Sequence, residues 1–364
     1  MPDTKRPILL AAGGTGGHLF PAEALAEALT QRGRQVELVT DTRVDAWVER
    51  FPGDVHTIIA GTVTGTGLES KARGAWRLFK GFLQARKLIT KIRPAAVVGF
   101  GGYPTVPPIL AAHFAGIPTL IHEGNAVMGR ANRFLAPRAS RIATGFPLKD
   151  NLFPDKTFET GNPVRRPVTH AAETGYPPFT ADGPLRILVF GGSQGARVMS
   201  DVVPNAFQHV PEALRARIQI IQQARDEDVL RVNKGYEKLG MKHLVQHFFT
   251  DLPQRMAGAH LVIARAGAST VSELSVIGRP GILVPLPGAL DQDQAANAEV
   301  LVAAGGAIAI PQSALTPISL AEVIERLAED PERLPRMAAA AKKVGIADAA
   351  SRLASEVLSL IGKA

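Results

Sequence analysis

A short apolar run, a glycine-rich turn and a helix-period stretch recur along this chain. That alternation restricts it to folds in which a parallel sheet is covered by helices on both faces. Apolar runs at 8–12, 36–40, 55–59, 95–100 and 119–122 read as strands, and a helical pattern over 20–32 follows the first turn. The same grammar restarts at 185–190 and continues at 218–222, 244–248, 261–264 and 281–285. LLAAGGTGGH at 9–18 is echoed by ILVFGGSQGA at 187–196, with Gly13 and Gly191 178 residues apart in a chain of 364. A chain of that length exceeds one ordinary core. Between the halves, Pro163, Pro167, Pro177, Pro178 and Pro184 mark a linker. The expectation is two domains, 1–163 and 164–347, with the last helix (348–364) packing on its own domain or crossing back to the first.

Composition narrows the function classes. Hydrophobic residues at 46% and charged residues at 20% fit a globular chain. There is no cysteine, which excludes disulfides and thiolate metal sites and fits a reducing compartment. No apolar run reaches the roughly 18 residues of a membrane span, and the first residues lack a signal-peptide pattern. The net charge of +8 belongs wholly to residues 1–165, which hold 21 Lys/Arg against 13 Asp/Glu; the remainder is neutral. That asymmetry points to a polyanionic partner for the first half alone. Residues 70–94, SKARGAWRLFKGFLQARKLITKIRP, carry eight basic side chains and no acid, with Trp76, Phe79, Phe82 and Leu83 at helical spacing. A basic amphipathic helix of this kind suits an anionic membrane leaflet, and part of its stripe packs on the sheet. Nucleic acid is disfavoured because no DNA or RNA module appears.

The glycine loops bear on ligands. Between a strand and a helix, glycines let backbone N–H groups approach a phosphate while the helix N-terminus adds partial positive charge. Neither loop has the Lys of a Walker motif, and GTGGHL has Leu19 where the last glycine of a dinucleotide fingerprint belongs. Nucleoside triphosphatase and oxidoreductase readings lose ground. Two such loops suggest two phosphorylated ligands.

Six motifs occur in order: GGTGGH at 13–18, GFGGYP at 99–104, HEGN at 122–125, GNPVR at 161–165, GGSQGA at 191–196 and RAGASTVSE at 265–273. Together they resemble the MurG family, bacterial transferases that add N-acetylglucosamine from UDP-N-acetylglucosamine to the lipid-linked muramyl-pentapeptide precursor of peptidoglycan. The resemblance spans nearly the whole chain. It implies the GT-B fold, two Rossmann-like doubly wound domains with a cleft between them. It implies an inverting reaction at the cytoplasmic face of the inner membrane, with no cofactor or metal. His18 is implied as the general base or a close neighbour of it. Thr15, Gly16 and Gly17 are implied in substrate binding, with Asn125 at the sugar or acceptor hydroxyl. Arg165, rather than Arg166, is implied at the diphosphate, together with Ser193. Glu273 is implied at the ribose diol, Phe248 and Phe249 at the uracil, and Gln294 at a sugar hydroxyl. Two departures stand out: Gly124 occupies the family's HEQN glutamine, and Asp293 the first residue of its Gln pair. Read alone, Asp291-Gln-Asp293 is a metal-type D-x-D pattern; sugar hydrogen bonding without metal is the expectation taken here. The alternatives are a GT-B transferase with another lipid acceptor, such as a diacylglycerol, and a nucleotide-sugar epimerase.

Overall fold

The computed structural model describes residues 6–13, 16–41, 51–60, 68–192, 195–288 and 293–362, with side chains in the helix at 68–92 described from Arg73 onward. The chain forms two compact units, Met1–Arg165 with Ala347–Ala364, and Arg166–Ile346.

In the first unit β1 (Ile8–Ala11), α1 (Gly16–Thr30), β2 (Val36–Thr40), β3 (Val55–Thr57), α2 (Leu68–Ile92), β4 (Ala96–Gly99), α3 (Val106–Phe114), β5 (Thr119–Glu123), α4 (Arg130–Leu135), β6 (Arg141–Thr144) and β7 (Thr157–Glu159) follow one another. Among the described residues the strands make one parallel sheet in the order β3-β2-β1-β4-β5-β6-β7. Such a sheet is covered on both faces, so its central strands are continuously apolar, as ILLA of β1 is. Successive side chains alternate between faces. Ile8 and Leu10 therefore join Leu25 and Leu29 of α1, while Leu9 and Ala11 join Ala85 and Ile89 of α2 and Ile109 of α3. Pro21 lies inside α1, where it removes the N–H that would bond the Gly17 carbonyl and loosens the helix start.

The second unit contains α5 (Arg166–Ala171), β8 (Leu185–Phe190), α6 (Arg197–Ala206), α7 (Glu212–Arg215), β9 (Ile218–Gln223), α8 (Asp226–Lys238), β10 (Lys242–Gln246), α9 (Leu252–Gly258), β11 (Leu261–Ala264), α10 (Ala268–Ile277), β12 (Gly281–Leu283), α11 (Asp293–Ala303), β13 (Ala307–Ala309), α12 (Pro317–Glu329) and α13 (Arg333–Lys343). Its parallel order is β10-β9-β8-β11-β12-β13. Leu185, Ile187 and Val189 face a core shared with α6, α8 and α12. The unit boundary falls between Arg165 and Arg166. The final helix, α14 (Ala349–Gly362), packs on α1, with Arg141 paired to Glu356 and Arg32 donating to Ser351 and Ser355.

In each sheet the order reverses beside the first strand, between β1 and β4 and between β8 and β11. Ligands of doubly wound sheets bind beyond the carboxyl ends of the strands at this reversal. The motif loops all follow such strand ends.

Candidate active site

In the first unit the loops after β1 and β4 meet at His18, with His122 of β5 nearby. Its imidazole lies against the glycine backbone of the GFGGYP loop. A Cβ at Gly101 would stand 3.5 Å from Nε2 and Cδ2 of His18, and one at Gly102 3.3 Å from Cε1. Both glycines have positive φ, 85° and 74°, so any other residue there brings backbone strain as well as crowding. The Thr105 hydroxyl donates to the Gly101 carbonyl at 2.6 Å and pins this bed in place. Gly16 and Gly17 open α1, whose first N–H groups have no intrahelical acceptor, and the space beside Gly17 is open to 4 Å. Thr15 lies outside the described residues. Arg165 places its guanidinium 3.8 Å over the Phe20 ring of α1, so it sits with the first loop, and among the described residues its buried Nε has no hydrogen-bond partner. Arg166 begins α5 in the other unit and is exposed.

The HEGN turn after β5 is organised by Glu123. Its Oε1 accepts from the Asn125 backbone at 3.0 Å and from Asn125 Nδ2 at 3.1 Å. Oε2 accepts from the Gly129 backbone at 3.0 Å and from Asn132 Nδ2 at 2.8 Å. Burial pushes the Glu123 carboxyl up from its ordinary range, and these four donors pull the other way. Asn125, half-buried, is thereby held by backbone and side chain together. Asn132 also donates to the His122 carbonyl at 3.1 Å. His122 is buried with Nε2 3.3 Å from the Gly161 carbonyl, and burial lowers its pKa to about 4, with nearby His18 adding to the shift. It is a neutral prop behind His18. Sequence reasoning did not single out Asn132; a lone Asn in α4 carries no signal until the fold sets it under β5.

In the second unit the GGSQGA turn follows β8. A Cβ at Gly191 would lie 2.2 Å from the Ala196 nitrogen, so only glycine allows this tight return into α6. Ser193 lies outside the described residues. The loop from β11 enters α10 through Gly267, and neither α6 nor α10 has a side-chain N-cap, which leaves their first N–H groups available to an anion. Glu273 sits in the second turn of α10, buried beside Ser272. Arg265, first residue of that motif, is structural: Nη1 donates to the Val284 and Pro285 carbonyls and Nη2 to Gln312 Oε1. Asn297 of α11 donates to the Ala266 carbonyl at 3.2 Å and braces the same turn.

Gln294 and Asp293 open α11. Gln294 Oε1 accepts from the Leu286 backbone at 3.0 Å, and Asp293 Oδ1 accepts from the Gln294 backbone at 2.9 Å. Both carboxamide oxygen and carboxylate are thus engaged locally; Asp291 lies outside the described residues. Strand β10 ends at Gln246, two residues before the run read from sequence, so both phenylalanines fall in a turn. Phe249 is buried under Arg255 and Phe248 is exposed.

The outer side of α2 carries the expected basic and aromatic residues. Trp76, Phe79 and Leu83 are 57%, 51% and 47% exposed, and Phe114 at the end of α3 is 71% exposed. Trp76 stacks on Phe79 with centroids 5.8 Å apart, and Lys80 Nζ lies 5.4 Å over Trp76. Phe82 turns inward, half-buried and edge-on to Phe114, so Leu83 and Phe114 complete the exposed patch in its place. No helix among the described residues is long and apolar enough to cross a membrane.

Known proteins match this arrangement along its length. Residues 8–144 match the glycosyltransferase family 28 N-terminal domain and residues 186–353 the family's C-terminal domain. A Rhodopseudomonas palustris protein is 56% identical over 354 residues, 96% of this chain and 97% of its own; a Rhizobium rhizogenes protein is 52% identical over 362 residues, 99% and 97%. Both are named UDP-N-acetylglucosamine--N-acetylmuramyl-(pentapeptide) pyrophosphoryl-undecaprenol N-acetylglucosamine transferase. The crystal structure of Acinetobacter baumannii MurG superposes with a TM-score of 0.80 at 28% identity, covering 97% of this chain and 99% of that one. A Neisseria meningitidis UDP-GlcNAc 2-epimerase, at 14% identity, 97% and 99% coverage and a TM-score of 0.65, shares the fold alone. With both domains matched and identity above 50% over nearly the full chain, this protein belongs to the MurG family within glycosyltransferase family 28.

Proposed function

We propose that the chain transfers N-acetylglucosamine from UDP-N-acetylglucosamine to the muramyl 4-hydroxyl of undecaprenyl-pyrophosphoryl-muramyl-pentapeptide, with inversion. The observation that carries this reading is the pairing of two strand-end sites of different chemistry on one chain of this family. The first unit offers an imidazole on a glycine bed and, after β5, an Asn125 held by Glu123. The second offers two uncapped helix N-termini and a buried carboxylate at Glu273.

In the reaction the acceptor oxygen attacks the anomeric carbon as its proton passes to His18, and the bond to the UDP oxygen breaks. Imidazole suits the step because its ordinary pKa lies near the working pH. Asn125, fixed through Glu123, orients the acceptor hydroxyl or the sugar. The departing diphosphate bears the developing negative charge. The N–H groups at the starts of α6 and α10, with Ser193 and Arg165, stabilise it electrostatically in the role a metal ion fills elsewhere. Glu273 accepts from the ribose hydroxyls, Phe248 and Phe249 frame the uracil, and Gln294 donates its amide to a sugar hydroxyl. Residues 1–163 thus serve the acceptor and 164–347 the donor.

The acceptor's lipid anchor gives the α2 surface its role. Trp76, Phe79, Leu83 and Phe114 enter the headgroup boundary of the inner membrane's cytoplasmic leaflet, and the surrounding Lys and Arg engage anionic lipid, at about 1 kcal/mol per basic residue near the surface. Acceptor-dependent UDP release tests the reaction. UDP should appear from UDP-N-acetylglucosamine only with the lipid-linked muramyl-pentapeptide present. UDP release without acceptor, or epimerisation of the sugar, would assign the chain to the epimerase chemistry that shares its fold; transfer to a diacylglycerol instead would assign the other acceptor.

A further inference from the structure

The second unit has another concavity, at the amino ends of its strands, away from the loops that follow their carboxyl ends. It lies on the face of β8, β9 and β10 opposite α6 and α8, because Ile187 and Ile220 of the same strands point into the core that those helices cover. The register lays two rows across the three strands. Arg186 pairs with Gln219 and Gln219 with Lys242; two residues further on, Leu188 pairs with Ile221 and Ile221 with Leu244. A polar, cationic row thus borders an apolar row, and the C-terminal turn of α9 walls one side.

The cavity measures about 360 Å³, near the lower end of small-molecule clefts. At about 30 Å³ for a water-sized group, it holds on the order of a dozen heavy atoms, which is one short chain with a head group. That is too little for a partner helix or a patch of bilayer. No carboxylate among the described residues lines it. Arg255 at the rim is already paired with Asp251 at 2.7 Å. Arg186 is not: among the described residues its buried Nε has no hydrogen-bond partner, and its Nη2 meets His260 Nε2, a nitrogen 3.1 Å from the Pro178 carbonyl. Lys242 is exposed and pairs with no carboxylate among the described residues. Leu244 is 37% exposed although it continues an apolar row.

We propose that this groove binds a free medium-chain carboxylate, its head group on Arg186 and Lys242 and its chain along Leu188, Ile221 and Leu244. The site is separate from the donor loops, so its occupant does not compete directly with the nucleotide. Calorimetric titration of the full chain with decanoate, below its micelle concentration, tests it. Saturable binding is expected, weakened at least tenfold in Lys242→Glu and in Leu244→Asp, both exposed positions. UDP affinity and thermal midpoint should be unchanged in both variants. Decanol, of equal length without charge, should bind at least tenfold more weakly than decanoate. Equal binding by wild type and variants, equal binding of decanol, or loss of binding on charge reversal in α2 would each overturn the proposal. So would self-association abolished by Leu244→Asp, which would give the face to a second copy, or binding of an acidic amphipathic peptide in place of decanoate.

Discussion

Glu123 orders the turn after β5 through hydrogen bonds to its own neighbours. Four N–H donors point at its carboxylate, and each such charge-assisted bond contributes about 1.5–3 kcal/mol. Glu123→Gln sets an amide NH2 against two of those donors and releases either Asn125 or Asn132. We expect kcat to fall about tenfold or more, with the KM for the UDP-sugar unchanged, because about 1.4 kcal/mol is a factor of ten in rate. An unchanged kcat would show that Asn125 needs no such anchor. In the other unit, Glu273→Ala should weaken UDP binding at least tenfold with the fold intact; unaltered affinity by calorimetry would remove the ribose assignment. At this scale the sequence is uneven evidence. His18 was named through the family resemblance, since a histidine at a helix start has an ordinary structural reason to be there, and its glycine bed emerges only from the fold. Asn132, Asn297 and Arg265 were not legible, since their partners lie 9–10, 31 and 19–47 positions away in the sequence. The role of Gln294 was read from its motif alone, and its oxygen is spoken for by Leu286.

Among the elements, α2 carries two faces that its sequence announced and one detail that it did not. The aromatic stripe was visible, but which members face outward depends on the helix's rotation against α3, and that rotation turns Phe82 inward, half-buried, and exposes Leu83. Vesicle binding should therefore require anionic lipid and fall as salt rises, since the screening length shrinks from about 10 Å at 0.1 M to about 3 Å at 1 M. The triple variant Arg77→Glu, Lys80→Glu, Lys87→Glu should leave vesicles while binding UDP normally. Equal binding to neutral and anionic vesicles would return α2 to plain core packing. Strand ends were harder to read than strands. β6, β7 and β13 were not read as strands, although β1, β3, β4, β11 and β12, equally short, were. β10 is an edge strand with alternating exposure, so its start at Lys242 has no apolar mark.

For the whole molecule, the near-halfway repeat and the proline-rich stretch made the two doubly wound sheets legible. The return of α14 to the first unit was not, because its apolar stripe fits any helix-covered sheet, and the choice is made by Leu353 and Val357 against α1 and by Arg141 with Glu356. Stability of the second unit should depend on pH through His260. Its Nδ1 accepts from the Arg186 backbone at 3.0 Å, and burial, with Arg186 and Arg279 nearby, lowers its pKa to about 4. The unfolded chain then binds more protons than the folded one below pH 6.5. Stability is full above that value and is lost as pH falls towards 4, by at most about 3 kcal/mol. Thermal midpoints across pH 4–7 should show this loss, flattened in His260→Gln; an equal slope in the variant would place the sensitivity elsewhere.

The reaction itself is tested most directly by following radiolabelled N-acetylglucosamine from its UDP conjugate into lipid-linked muramyl-pentapeptide, with EDTA present throughout. Labelled disaccharide lipid should form at an undiminished rate, and His18→Ala should lower it by about 10²–10⁴-fold, the usual share of a general base. No label in the lipid, full activity in His18→Ala, or activity lost in EDTA and restored by Mn²⁺ or Mg²⁺ would contradict metal-independent transfer by this histidine.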